Sequence, residues 1–420
     1  MKRFILALLC VQCVCAWSAE NGAKDALTLS RTGAAEFALQ NNLELKAIKT
    51  GIDAARARKL QSGRLSNPVV GAEYGNDMLF QNEGEYNVRA SISQKFPLFG
   101  RLSKETDAAN IDIKLAENEY LQAKQTLSRD TQLAYVDALE KQAAVSAKKE
   151  ILRSMQSLAK AMKPALKSAE VAPLEYKRVQ SECSKMQIEI MEGEIEEISA
   201  LSVLKTKLGL EQRIKIKLSD SLSEIRPSNA KFSNAVLERR PDYQMFKLAC
   251  ENSAAQIALI KAGKYEDIEV GIFFESSYET DEPVGKTRYN GMGLSVSIPL
   301  PLNSFDGSIG EKLAMRRQAE TRAAAMENII INEISLYKMR AQKYSKIVNR
   351  YNGSLEKETK QIYQQYIEAR NMAQASLADV FGAWQTNLQL QLLKTGAIAN
   401  QARNSIYLNY ALGFDNKDEK

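Results

Sequence analysis

Between Ser103 and Lys163 the chain contains neither proline nor glycine. The two residues that most readily end a helix are absent for about 60 residues, so a helix of about 90 Å is predicted there. A rod of that length cannot be enclosed by a compact domain and needs neighbours along its whole course. The chain supplies them. Helical patterns run over 27–61, 173–208, 233–262 and 376–412, and a second long one over 308–368. In the latter, Ile334, Ala341, Val348, Leu355 and Ile362 recur every seven residues. Tyr337, Tyr344 and Tyr351 do so three positions on, and Glu358 and Gln365 continue that second track. This is a coiled-coil seam. Ile113, Tyr120, Leu127 and Ala134 keep the same spacing in the first long helix, and Ala138, Val145, Leu152 and Ala159 continue it on a shifted track.

The order of elements is written twice. Residues 19–226 read as helix, strand 69–74, polar loop, strand 86–96, long helix 103–163, a break near Pro164–Pro173, and helix 173–208. Residues 227–414 read as helix, strands 268–277 and 289–298, long helix 308–368, a break, and helix 376–412. The offset is about 200 residues, with Pro97 answered by Pro299, which predicts a tandem duplication too long in period for a solenoid. Residues 209–232 form the join, and 415–420 a charged tail.

Both halves turn from strand to helix through the same chemistry, "KFPLFGRLSKE" and "SIPLPLNSFDG". Proline lacks the N–H that would continue a ladder, so Pro97, Pro299 and Pro301 end the strands, and Gly100 lets the chain swing into its helix.

Histidine is absent, which removes the commonest general base and metal ligand. The sequence has no nucleophile–base pair, metal-ligand cluster or phosphate loop, so it reads as a non-enzyme without a cofactor. The formal charge of +6 is dispersed, which argues against nucleic acid as a partner. The first eighteen residues have the form of an export signal. Lys2 and Arg3 precede the apolar run Phe4–Ala16, and Ala16-Trp17-Ser18 offers small residues for cleavage before Ala19. Cys10, Cys13 and Cys15 lie in this segment outside any lipoprotein pattern. Cys183 and Cys250 sit in helical patterns and read as small buried groups rather than a bridge. Beyond the signal no run of 18 apolar residues occurs, so no transmembrane helix is expected.

The strands point to a membrane by another route. Val88, Ala90, Ile92 and Phe96, with Gln94 as an exception, alternate with Arg89, Ser91, Ser93 and Lys95. Ile268, Val270, Ile272 and Phe274 alternate with Glu269, Gly271, Phe273 and Glu275. Met292, Leu294, Val296 and Ile298 alternate with Gly291, Gly293, Ser295 and Ser297. Val70, Ala72 and Tyr74 face away from Glu73. Segments of about ten alternating residues fit tilted membrane strands, and Tyr74, Phe80, Tyr86, Phe96, Phe274, Tyr278 and Tyr289 cluster near their ends. Four strands cannot close alone, since barrels begin at about eight, and an open edge in lipid is prohibitive. Two copies would give eight strands and three would give twelve. Glu73, Arg89, Lys95, Glu269 and Glu275 would then line the lumen.

At this point the chain resembles the TolC family of outer-membrane channel proteins, nearest its metal- and drug-efflux branch. The resemblance is carried by "LTLSRTGAAEFALQNNLELKA", "NPVVGAEYG", "ISQKFPLFGRLSKETDAA", "ALKSAEVAPLEYKRVQSE", "LERRPDYQMFKLACENSAAQIALIKA", "ASLADVFGAWQTNLQLQ" and the ending "NYALG". It implies a fold that is mainly α with membrane β: a homotrimer sharing a twelve-stranded barrel continued by a periplasmic helical barrel. It also implies an outer-membrane location and a passive duct completing a tripartite efflux pump. The partners would be a periplasmic adaptor, an inner-membrane transporter of RND or ABC type, and outer-membrane lipid. In the family acidic residues narrow the periplasmic tip. Asp379 matches the first of them, Gly382 falls where some members have a second, and Glu175 occupies the corresponding turn of the first repeat. Ala375 stands where some members carry a basic residue, although Arg370 is near.

A type I protein-secretion duct is an alternative within the same class, and a soluble periplasmic coiled-coil scaffold is one from another class. The scaffold explains the helices but leaves the four strands without a role. If Asp379 lines a narrow ring, Asp379→Ala changes the cation conductance of single channels in planar bilayers; unchanged conductance and selectivity would exclude the ring.

Overall fold

The computed structural model describes residues 27–79, 84–168, 171–222, 232–280, 286–302, 305–372 and 374–414. The export signal, Phe80 and the tail 415–420 lie outside them. The element order is β1 (Leu27–Leu29), α1 (Arg31–Asn41), α2 (Leu43–Gln61), β2 (Val69–Asn76), β3 (Tyr86–Phe96), α3 (Arg101–Lys167) and α4 (Pro173–Leu208). It continues with β4 (Ile216–Leu218), α5 (Asn234–Arg239), α6 (Pro241–Ala262), β5 (Ile268–Glu279), β6 (Thr287–Ser297), α7 (Asp306–Arg350), a π-turn (Tyr351–Leu355), α8 (Glu356–Asn371) and α9 (Leu377–Ala411). α3 holds 67 residues, about 100 Å of helix.

Several boundaries differ from the sequence reading, each for a local reason. The single helix expected over 27–61 is a strand and two helices. Ser30 caps α1 by accepting from the Gly33 N–H at 3.1 Å. Asn42 then leaves the helical region, with ψ at 123°. Its side chain accepts from the Leu45 N–H at 3.0 Å and donates to the Lys207 carbonyl at 3.0 Å, so the break costs no unpaired backbone group there. The helix expected over 233–262 is divided at Pro241, which takes the first position of α6. α3 runs through Pro164 to Lys167; a proline so near the end forfeits a single helical hydrogen bond. The helix expected over 308–368 is interrupted by the π-turn, where Gly353 has a non-helical ψ of −126°.

The π-turn also explains the fate of the heptad. Ile334, Ala341 and Val348 are buried, whereas Ile362, beyond the turn, is half exposed. A wider turn shifts the register of everything after it. In α3 the stripe moves likewise. Ala134, Ala138 and Val145 are buried, and then Ile151, Met155, Leu158 and Met162 replace the expected Leu152 and Ala159 as the buried track.

The described residues form two compact units, one within 1–45, 124–232 and 331–420, the other within 46–123 and 233–330. Each takes segments from both sequence halves. In the first unit β1 pairs in parallel with β4, a strand within the expected join. Tyr135 is fully buried beneath the pair and donates its hydroxyl to the Leu29 carbonyl at 2.8 Å. A larger cluster surrounds Trp384, with Ile151, Met155, Val179, Met186 and Leu388, and a smaller one joins Val136 to Ala399, Ala402 and Ile406. Arg403 joins α9 to α3 through Asp137, at 2.7 Å, and Glu140. Cys183 and Cys250 are free thiols of intermediate burial.

In the second unit the helices hold a four-stranded antiparallel sheet in the order β2-β3-β5-β6. Arg240 is buried and holds Asp242 with its Nε donating at 2.9 Å, which fixes the start of α6. Asn118 of α3 donates to the Pro241 carbonyl at 2.7 Å.

Gly209 ends α4 in the left-handed region, φ +71°, and its N–H reaches the carbonyls of Lys205 and Thr206. An added Cβ would lie 3.2 Å from the Asn41 carbonyl oxygen and 3.4 Å from the Asn42 Cα. Gly209→Ala is therefore expected to cost about 1–2 kcal/mol, read as a lowered thermal midpoint of the purified protein.

Candidate channel wall and helix-turn contacts

The sheet owes its two faces to register. Val70, Ile92, Ile272 and Leu294 stand side by side across the four strands, as do Ala72, Ala90, Phe274 and Met292. These side chains have nothing packed over them: Leu294 is 76% exposed and Met292 82%. An exposed apolar face of this extent marks an interaction surface, for a membrane or another protein. Toward the hairpin ends the face closes with aromatic rings. Tyr86 stacks between Tyr74 and Tyr278, with centroids 6.4 and 5.5 Å apart. That stack draws Tyr278 into β5, where the sequence suggested a loop. Arg288 donates to the Tyr86 hydroxyl at 3.1 Å.

The opposite face collects the polar groups named from alternation. Glu73 lies opposite Arg89, Arg89 opposite Glu275, and Lys95 opposite Glu269. Ser93 donates to Glu269 and Asn87 to Glu275, both at 2.6 Å. Among the described residues β2 and β6 pair on one side only, so both edges of the sheet are open there.

The strands of both hairpins meet their helices at the same end of the sheet, because Phe96 pairs with Ile268 and Glu269 with Ser297. Pro97 follows β3 directly, and Pro299 and Pro301 follow β6. Gly100 takes φ +70°, as the turn into α3 requires. Phe99 also takes a positive φ, +53°, and its ring rests on Tyr265 at 4.5 Å. An aromatic residue in this region carries no sequence signature. Nor does the clasp beside it, in which Arg101 bridges Glu105 and Asp267, each at 2.7 Å.

In the first unit, Glu175 and Asp379 stand at the starts of α4 and α9. Glu175 is paired. Arg370, at the end of α8, places Nη2 2.8 Å from its carboxylate and donates Nη1 to the Ala375 carbonyl at 3.2 Å. Arg370 thus ties three chain segments, although it lies five residues before Ala375. Asp379 is exposed and caps its own helix. It accepts from the Ser376 N–H at 3.0 Å and from the Ser376 hydroxyl, and returns its N–H to that hydroxyl at 3.2 Å. The sequence reading missed Tyr363. Its hydroxyl lies within hydrogen-bonding reach of the Ser154 hydroxyl and accepts from Trp384 Nε1 at 3.2 Å. Tyr363 lies one position after Ile362 and off the heptad, so periodicity could not single it out.

Residues 35–209 match the family model described as outer membrane efflux protein. No curated protein matches the chain in sequence. Solved structures match its fold over nearly its whole length. The CusC structure, described with transmembrane channel formation, shares 15% identity over 94% of this chain and 96% of that one, with a TM-score of 0.74. The Campylobacter jejuni CmeC outer membrane channel shares 14% over 96% and 92%, at 0.73. The open-state Neisseria gonorrhoeae MtrE outer membrane channel shares 15% over 91% and 89%, at 0.72.

The cap at Ser376 makes a pH prediction. Hydrogen bonds from the Ser376 side chain, and then from its backbone N–H, hold the Asp379 carboxyl below its ordinary range. A depressed folded-state pKa adds stability that is present above the unfolded value and is lost as pH falls through the folded one. The first turn of α9 should therefore stay protected against amide exchange to lower pH in the wild type than in Ser376→Ala, after correction for intrinsic rates. Equal profiles would mean that the box does not hold that turn.

Proposed function

We propose that this chain is an outer membrane efflux protein of the TolC type and the exit duct of a tripartite efflux pump. The observation that carries this reading is the sheet in the second unit: a bare apolar face, a polar face, and two unpaired edges. In lipid every unpaired N–H or C=O costs several kcal/mol. Closure must then come from further copies, and three give twelve strands, enough for an aqueous lumen. The hydrocarbon would meet Val70, Ile272, Met292 and Leu294, and water would meet Glu73, Arg89, Lys95, Glu269 and Glu275. Because all four strands join their helices at one end, the helices would extend into the periplasm. The leader at residues 1–18 would direct export. The passive duct would take energy from an inner-membrane transporter through a periplasmic adaptor.

The helix turns supply the constriction in this reading. Three copies of exposed Asp379 would attract cations, and the Arg370–Glu175 pair would latch neighbouring turns of each protomer together. Glu175 is 42% exposed, so removing Arg370 leaves its carboxylate to water and breaks only the tie between the turns.

The duct is tested in the outer-membrane fraction. A trimer band that resists detergent and dissociates on heating is expected, together with efflux that fails when the chain is deleted. Arg370→Ala is expected to raise single-channel conductance several-fold, and Glu175→Gln in the same direction by less. A monomer outside the membrane fraction would overturn the duct; wild-type conductance in Arg370→Ala would remove the latch alone.

A further inference from the structure

The polar face of the sheet carries three charges in a row that do not neutralise one another. Glu73, Arg89 and Glu275 are cross-strand neighbours, about 5 Å apart at their Cβ atoms. Such an acid–base–acid row would ordinarily close into ion pairs. Here Arg89 lays its guanidinium on the Phe273 ring, 3.9 Å from the centroid. Among the described residues the Arg89 side chain makes no ion pair or hydrogen bond, and neither does that of Glu73. Glu275 is engaged by Asn87.

Phe273 can serve as this seat because of its partner on the next strand. That partner is Gly293, and a Cβ there would come within 2.5 Å of the ring's Cζ. The glycine leaves room for the ring to lie across the sheet. The guanidinium stacked on it is a fixed cation whose N–H donors are unspent.

Resting on the reading of this face as a duct wall, we propose that Glu73, Arg89 and Glu275 form a collar of alternating fixed charges. It binds solutes in transit that carry an anionic and a cationic group close together. Arg89 takes the anionic group and Glu73 the cationic one, while Phe273 and Gly293 position Arg89. A singly charged solute meets repulsion from one neighbour wherever it meets attraction from another. A zwitterion with groups a few Å apart satisfies both.

The test uses the full trimer in planar bilayers and records excess current noise on addition of L-tryptophan, N-acetyltryptophan or tryptophanamide. These probes share the indole side chain and differ chiefly in which charges they carry. Tryptophan is expected to raise the noise in the wild type and the two singly charged forms are not. Arg89→Gln should lower the tryptophan signal about tenfold. Gly293→Ala, which alters no charge, should lower it by unseating Phe273; Phe273→Leu does the same if Gly293→Ala fails to form the heat-sensitive trimer. Equal noise from all three probes, or an undiminished signal in Arg89→Gln, would overturn the collar. A wild-type protein that conducts no ions would instead overturn the duct reading beneath it.

Discussion

The backbone N–H and C=O groups along the outer edges of β2 and β6, which pair with no other strand among the described residues, set the terms for everything else. A short, charged or twisted edge can be left to water. These edges border a face of valine, isoleucine, leucine and methionine that stays exposed among the described residues. If lipid covers that face, as proposed, the open edges become untenable and further copies must pair them. On that proposal the fold of a single chain is incomplete, and the open edges are its main support.

The helices obey a different rule. Their interruptions fall where a side chain or a special backbone conformation can absorb the broken ladder. Asn42 supplies both a donor and an acceptor at the break between α1 and α2. Pro241 needs no N–H partner where it stands, and Gly209 closes α4 with a left-handed turn. The π-turn at Gly353 differs in that it also shifts the heptad, so the burial pattern changes across it. The contacts beyond it, through Tyr363 and Arg370, belong to the shifted register.

Alternation and periodicity carried the sequence reading a long way. β3 and α4 span the residues anticipated for them, because each is bounded by a proline or a polar break and filled by an unambiguous period. The two short strands β1 and β4 were not legible, since three residues hold too few side chains to display a period of two. Charge placement was half legible. Alternation assigned Arg89, Glu73 and Glu275 to one face, but it could not reveal that an aromatic ring, and neither carboxylate, holds the guanidinium. At the helix turns the sequence marked Glu175 and Asp379 and left the partner of Glu175 open. The partner is Arg370, which reaches it from a helix end almost two hundred residues away.

What the sequence by itself determined is the kind and order of the longer elements: long helices from an uninterrupted run of good helix formers, membrane-length strands from alternation, and junctions from proline and glycine. These are local properties, written in neighbouring residues. Tertiary structure alone decided the strand order, the register that aligns Ile92 with Ile272 and Leu294, the seat of Arg89 on Phe273 beside Gly293, and the pairing of Arg370 with Glu175. Each joins residues far apart in the chain, and no period read along a single segment encodes which distant segment will lie beside it.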